Sequence, residues 1–187
     1  MRYKSYRRFD RAYKDYNEIV TYDEQGKKHV EVKYPGSYYR SELTDASRRI
    51  HKIASVILLL SGLALIIAAS ALDLPSNRTV YVTIFTALII ILVLVCFAYT
   101  YLYITSPAET DRRHYVMNHL VYPKLVLGAS VLSSMMFLSL IIFGILNPGS
   151  FSKLYILCMV FCILAAACFF GIFILEYKTT YSTRMFM

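Results

Sequence analysis

Cys158 and Cys162 stand one helical turn apart, a spacing that can put two thiolates on one helix face and hold a soft metal ion. They lack the rest of a ligand set: no His or acid lies near them in sequence, and Cys is a common small apolar residue of buried helices. His114 and His119 are five apart, which is not the i, i+4 spacing that converges two imidazoles on one metal. Asp111 and His114 are three apart and can pair on one face, as a solvated contact or as an acid–base couple. No nucleophile accompanies them in a pattern that supports catalysis. The sequence therefore assigns no catalytic, cofactor-binding or metal-ligating residue, and no cofactor is expected.

The elements that must position these groups are apolar. Residues 53–72 form a run of twenty without a charge. At 1.5 Å per residue a helix of that length spans roughly 30 Å, the hydrocarbon thickness of a bilayer. Three similar blocks follow at about 80–104, 125–146 and 154–175, and the chain is 57% hydrophobic with 17% charged residues. That balance excludes an ordinary soluble domain. The fold class expected is an all-α integral membrane protein, a four-transmembrane-helix bundle spanning 45–187. A small basic cytosolic region, 1–44, precedes it.

Within that first region, Tyr3, Tyr6, Phe9, Tyr13, Tyr16 and Val20 recur at helical spacing, with Arg7, Arg8, Arg11 and Lys14 largely elsewhere on the surface. The pattern predicts an amphipathic helix over 3–20 that rests on anionic lipid headgroups or packs its Tyr stripe onto the cytosolic segment. From residue 18 the period changes to two. Val20 and Tyr22, then Val30, Val32 and Tyr34, alternate with polar residues around Asp23-Glu24-Gln25-Gly26, which predicts a β-hairpin over 18–34. Thr44 or Asp45 can cap a helix leading into the first span, and Ser76 can cap the second. Ser106-Pro107-Ala108-Glu109 reads as a capping box, predicting a short interfacial helix over 107–121 that Pro123 breaks or kinks before the third span.

Topology follows from charge. Eighteen of the twenty Lys and Arg residues lie in the N-terminal segment, the loop between spans two and three, and the tail; the remaining loops carry Arg78 and Lys153. By the positive-inside rule both termini face the cytoplasm, in a cytoplasmic (inner) membrane. The first thirty residues hold no apolar run of the signal-peptide kind.

The middles of the four blocks contain no Asp, Glu, Lys, Arg or His, the groups that ion-coupled transporters place there. Small residues are the more informative feature. Ala64 and Ala68, Ser130 and Ser134, and Ala167 and Gly171 are small-xxx-small pairs that let helices approach closely. Gly128, Ser130 and Ser134 on the third span are expected to pack against Ala167 and Gly171 on the fourth. The functional expectation is a non-enzymatic, partner-binding or accessory subunit, associating with another membrane protein or with itself and not with nucleic acid. The alternatives are a small channel or transporter using the Ser-rich third helix, and a membrane-surface enzyme acting on lipid.

Overall fold

The computed structural model describes residues 17–22, 28–33, 38–107 and 109–184. Arg7, Arg8, Arg11, Lys14 and the stretch 3–16 of the expected amphipathic helix lie outside them. Asn17–Tyr22 (β1) pairs antiparallel with Lys28–Lys33 (β2), from Asn17 opposite Lys33 to Tyr22 opposite Lys28. Residues 17–20 are therefore strand and not the end of a helix; alternation prevails over the helical spacing of the tyrosines before them.

Four helices form the bundle: α1 (Asp45–Ala71), α2 (Val80–Thr105), α3 (Arg112–Leu146) and α4 (Lys153–Tyr177), each long and apolar enough to cross a bilayer. The chain is an all-α membrane bundle carrying a small sheet. Helix α4 packs most extensively on α1 and α3, α3 packs on α2, and the α1–α2 contact is the smallest of the four.

Residues buried between the helices recur at alternating intervals of three and four. On α1 they are Ser55, Leu59, Gly62, Ile66 and Ala69. On α4 they are Tyr155, Cys158, Cys162, Ala165, Phe169, Ile172 and Glu176. The same rhythm runs through Ile89, Val93, Cys96, Thr100 and Tyr103 of α2, and through Tyr122, Val126, Ala129, Ser133, Met136, Leu140 and Phe143 of α3. A repeat of about 3.5 residues is the seam of left-handed knobs-into-holes packing. The opposite faces carry Ile57, Leu60, Ile91, Leu94, Leu138, Ile142, Ile163 and Leu164, all exposed to the surroundings of the bundle.

Capping follows local chemistry. Thr44 Oγ1 accepts from Ser47 N at 3.3 Å and starts α1. Its C-terminus is closed by Asn77, whose amide nitrogen donates to the carbonyls of Ala69 at 2.8 Å and Leu72 at 2.9 Å. That nitrogen is the atom a glycan on the Asn77-Arg78-Thr79 sequon would need. Ser76 does not cap α2. It is buried in a 3₁₀ turn, Pro75–Arg78, and Thr79 occupies the cap position, its N and Oγ1 both donating to Ser76 O.

The connection between α2 and α3 departs most from the sequence reading. Ser106 ends α2, with its Oγ donating to Tyr103 O at 2.7 Å. Glu109–Thr110 (β4) is extended, and α3 begins at Arg112 and not at Pro107. Asp111 is the cap, accepting from His114 N at 2.8 Å. The capping box fails because Ser106 is used to end α2 and Glu109 is drawn into a sheet: β4 and Tyr181–Arg184 (β5) flank Tyr38–Ser41 (β3), all antiparallel. Arg40 faces Glu109 across the ladder, their side chains 3.6 Å apart.

Pro123 does not separate an interfacial helix from the third span. Arg112–Tyr115 runs through a π-helical stretch, Val116–Val121, into Tyr122–Leu146 without a break. Proline lacks the N–H of a regular turn and its ring crowds the carbonyl four residues back. The wider π turn, in which Tyr122 N donates to Met117 O, absorbs that conflict before Pro123.

Candidate functional site at the sheet end of the bundle

Each of the four seams ends at the sheet with a polar or phenolic side chain: Ser55 on α1, Thr100 and Tyr103 on α2, Tyr122 on α3 and Glu176 on α4. Glu176 has no exposed surface. Its Oε1 accepts from Ser55 Oγ at 3.2 Å. Its Oε2 has no hydrogen-bond partner among the described residues, although the Tyr103 phenol and the Lys52 ammonium lie near enough to act on the carboxyl. The hydroxyls of Thr100 and Tyr122 are hydrogen-bonded at 3.0 Å, and Thr100 donates to Cys96 O at 2.8 Å. An ionisable side chain buried within a spanning helix is costly, which marks this layer as the candidate site.

Two cations border the layer. Lys52 Nζ donates to Ile104 O at 2.9 Å and Ser106 O at 3.0 Å, and sits 5.6 Å above the centre of the Tyr103 ring. Arg48 donates to the carbonyls of Ser106 and Pro107. Cations on the last carbonyls of α2 are favourable because those carbonyls have no partner inside the helix. The basic end of α1 thus holds the end of α2, in the helix pair whose direct contact is the smallest of the four.

Aromatic rings close the layer from the sheet side. Tyr39 of β3 stacks on Tyr115 of α3, with centroids 4.1 Å apart and planes 11° apart. Tyr181 of β5 meets Tyr115 edge-on at 5.3 Å and His119 at 4.8 Å. Burial, followed by the nearby Glu176 carboxylate, pushes the Tyr181 phenol up to about 12 from its ordinary 10.0, with Arg48 opposing. His119 Nδ1 and Asn118 Oδ1, both on the π-helical stretch, are buried without a partner among the described residues.

The groups singled out by type and spacing fall elsewhere or apart. Asp111 Oδ1 and His114 Nδ1 meet at 2.6 Å, the contact their spacing allows. His114 turns to Asp111 and His119 to Tyr181, so the two imidazoles do not converge. Cys158 and Cys162 are both wholly buried seam residues, with Cys158 Sγ 3.6 Å from Ala69 O. Among the described residues no three His, Cys, Asp or Glu side chains are grouped as metal ligands.

The small residues divide among several contacts. Ser130 Oγ donates to Ala166 O of α4 at 3.0 Å, a direct bond between the third and fourth helices. A Cβ on Gly128 would meet Leu92 of α2 at 3.3 Å, and one on Gly171 would meet Leu58 of α1 at 3.5 Å. Ser134 donates to its own helix at Ser130 O, and Ser134 and Ala167 lie on exposed faces. The tightest approach is at Gly62, where a Cβ would stand 2.6 Å from Phe169 Cε1. Glu176 and Gly62 were not singled out by the sequence. The signal that could have found Glu176 is its place on the three-and-four rhythm through Cys158, Cys162, Phe169 and Ile172.

Comparison of the chain with protein-family models, with characterised proteins and with solved structures finds no match, so its chemistry is read from its own residues.

Proposed function

We propose that this protein is a non-enzymatic, partner-binding subunit of a membrane complex. One observation carries the reading: the seam is filled through its middle by side chains with no exposure, including Leu59, Ile66, Ile89, Val93, Met136, Leu140 and Ala165. Most buried polar groups gather instead at the sheet end, among them Ser55, Thr100, Asn118 and Glu176. A channel through the Ser-rich third helix is disfavoured by the same geometry. Ser130, Ser133 and Ser134 all donate to backbone carbonyls, which commits their hydroxyl protons away from any path. The partner is another membrane protein or a second copy of this chain, engaged at the sheet end or along the apolar flanks.

The charge distribution supports placing the sheet end on the cytoplasmic side of a cytoplasmic membrane, with both termini there. It also supports contact of Arg7, Arg8, Arg11 and Lys14 with anionic headgroups, each basic residue near such a surface contributing about 1 kcal/mol. Weaker binding of the full chain's N-terminal region to anionic vesicles in high salt is the expected result, and salt-independent binding would count against it.

Affinity capture after crosslinking in native membranes tests the main proposal. The expected result is one membrane protein recovered in stoichiometric amount, or a crosslinked dimer of the chain. Recovery of the chain alone, together with solute flux in liposomes, would overturn it. The 2.6 Å Asp111–His114 contact, with His114 partly exposed, favours a second reading as a lipid-acting surface enzyme. That reading requires an activity on lipid that His114→Gln abolishes.

A further inference from the structure

We infer that the C-terminal strand is a releasable strap that seals the buried Glu176 carboxyl from the aqueous phase. The argument starts from where the chain goes after α4. The helix ends one residue beyond Glu176, at Tyr177. Thr179 folds back, its N donating to Glu176 O at 3.2 Å and its Oγ1 to Leu175 O at 3.0 Å. The chain then runs as β5 beside β3, and Tyr181, five residues after Glu176, lays its ring against Tyr115 and His119 of α3.

Among the described residues, few interactions hold the strap. Glu42 N donates to Thr180 O at 3.0 Å, and Thr180 Oγ1 donates to Glu42 Oε2 at 2.6 Å on an exposed edge. The ladder to β3 runs from Tyr38 opposite Arg184 to Ser41 opposite Tyr181. Tyr181 supplies the ring contacts, against Tyr115 and His119. His119 Nδ1, on the ring that Tyr181 meets, and Glu176 Oε2, whose charge reaches Tyr181, are buried polar atoms without partners among the described residues. Such atoms gain hydrogen bonds when water reaches them, which offsets part of the cost of opening. A short edge strand with an exposed anchor is of the kind that opens locally while the bundle stays folded.

The test is modification of carboxyl groups in the full-length protein by a water-soluble carbodiimide and an amine, read by peptide mass spectrometry. The exposed Asp73 serves as the internal reference. In the wild type Glu176 should react at least about tenfold more slowly than Asp73. Tyr181→Ala should raise the Glu176 rate severalfold and leave Asp73 unchanged, while Tyr181→Phe, which keeps the ring, should not. An Arg40→Cys, Ser182→Cys pair, at facing positions of β3 and β5, should suppress labelling again in the Tyr181→Ala background when oxidised and release it when reduced. The reversible lock keeps the result readable even if Tyr181→Ala loosens the fold. Equal Glu176 labelling in the wild type and the Tyr181→Ala variant, or labelling indifferent to the oxidised lock, would overturn the inference.

Discussion

Ser55 Oγ donates to Glu176 Oε1 at 3.2 Å, joining the first and fourth spanning helices across 121 residues of sequence at a site closed to the outside. In lipid there is no strong hydrophobic force between helices, so fit and bonds of this kind decide which faces meet. The pair sits at the end of the seam, where Lys52 of α1 also donates to Ile104 O of α2 and Arg48 to the carbonyls just beyond that helix.

Replacing Ser55 with Ala should leave Oε1 as bare as Oε2 and cost about 1–3 kcal/mol of stability in detergent. In a Glu176→Leu background the same replacement should cost under about 0.5 kcal/mol, because the acceptor is gone. Chemical unfolding of the four proteins of this cycle measures the coupling. Additive losses would show that the hydrogen bond contributes nothing.

Gly62→Ala should destabilise the bundle by about 1–3 kcal/mol, since its Cβ would press on Phe169 at 2.6 Å within a packed seam. Gly171→Ala should be tolerated, with Leu58 at an ordinary 3.5 Å, whereas Gly171→Leu must displace that side chain. Gly149→Ala, with nothing within 4 Å, is the neutral control. Thermal unfolding in one detergent orders the variants, and a Gly62→Ala protein as stable as the wild type would remove Gly62 as the close contact.

Alkaline pH should loosen the sheet end. Tyr181 holds its proton to about 12 in the folded chain, against 10.0 ordinarily. Below the lower value both states keep the proton and the group has no effect on the pH slope. Between the two values the unfolded chain ionises while the folded chain does not, so stability falls as pH rises. Tyr181→Phe should flatten this fall. Identical alkaline unfolding curves for the two proteins would show that Tyr181 does not contribute.

A reporter active only outside the cytoplasm should be silent when fused at residue 187 and active when inserted at Ser76. Eighteen of twenty basic residues on the side of the termini set this expectation. Activity at the tail with silence at Ser76 would reverse the orientation.

The four spans were legible because length and apolarity alone decide them: a run of twenty uncharged residues must form a helix whose backbone satisfies itself in lipid. The Thr44 cap, the β1–β2 hairpin and the Asp111–His114 contact were legible as well, because each depends on residues close in sequence. The inward faces were not. Lipid and seam are both apolar, so Leu60, which faces outward, and Leu59, which is wholly buried, carry the same signal. Glu176 stands one residue beyond the apolar block 154–175, the place where a carboxylate commonly meets water. Only the approach of Ser55, Tyr103 and β5 makes it a buried carboxyl. Ser106-Pro107-Ala108-Glu109 misled for the same reason: a local capping pattern lost to β3, a strand some seventy residues earlier whose pairing no local rule contains.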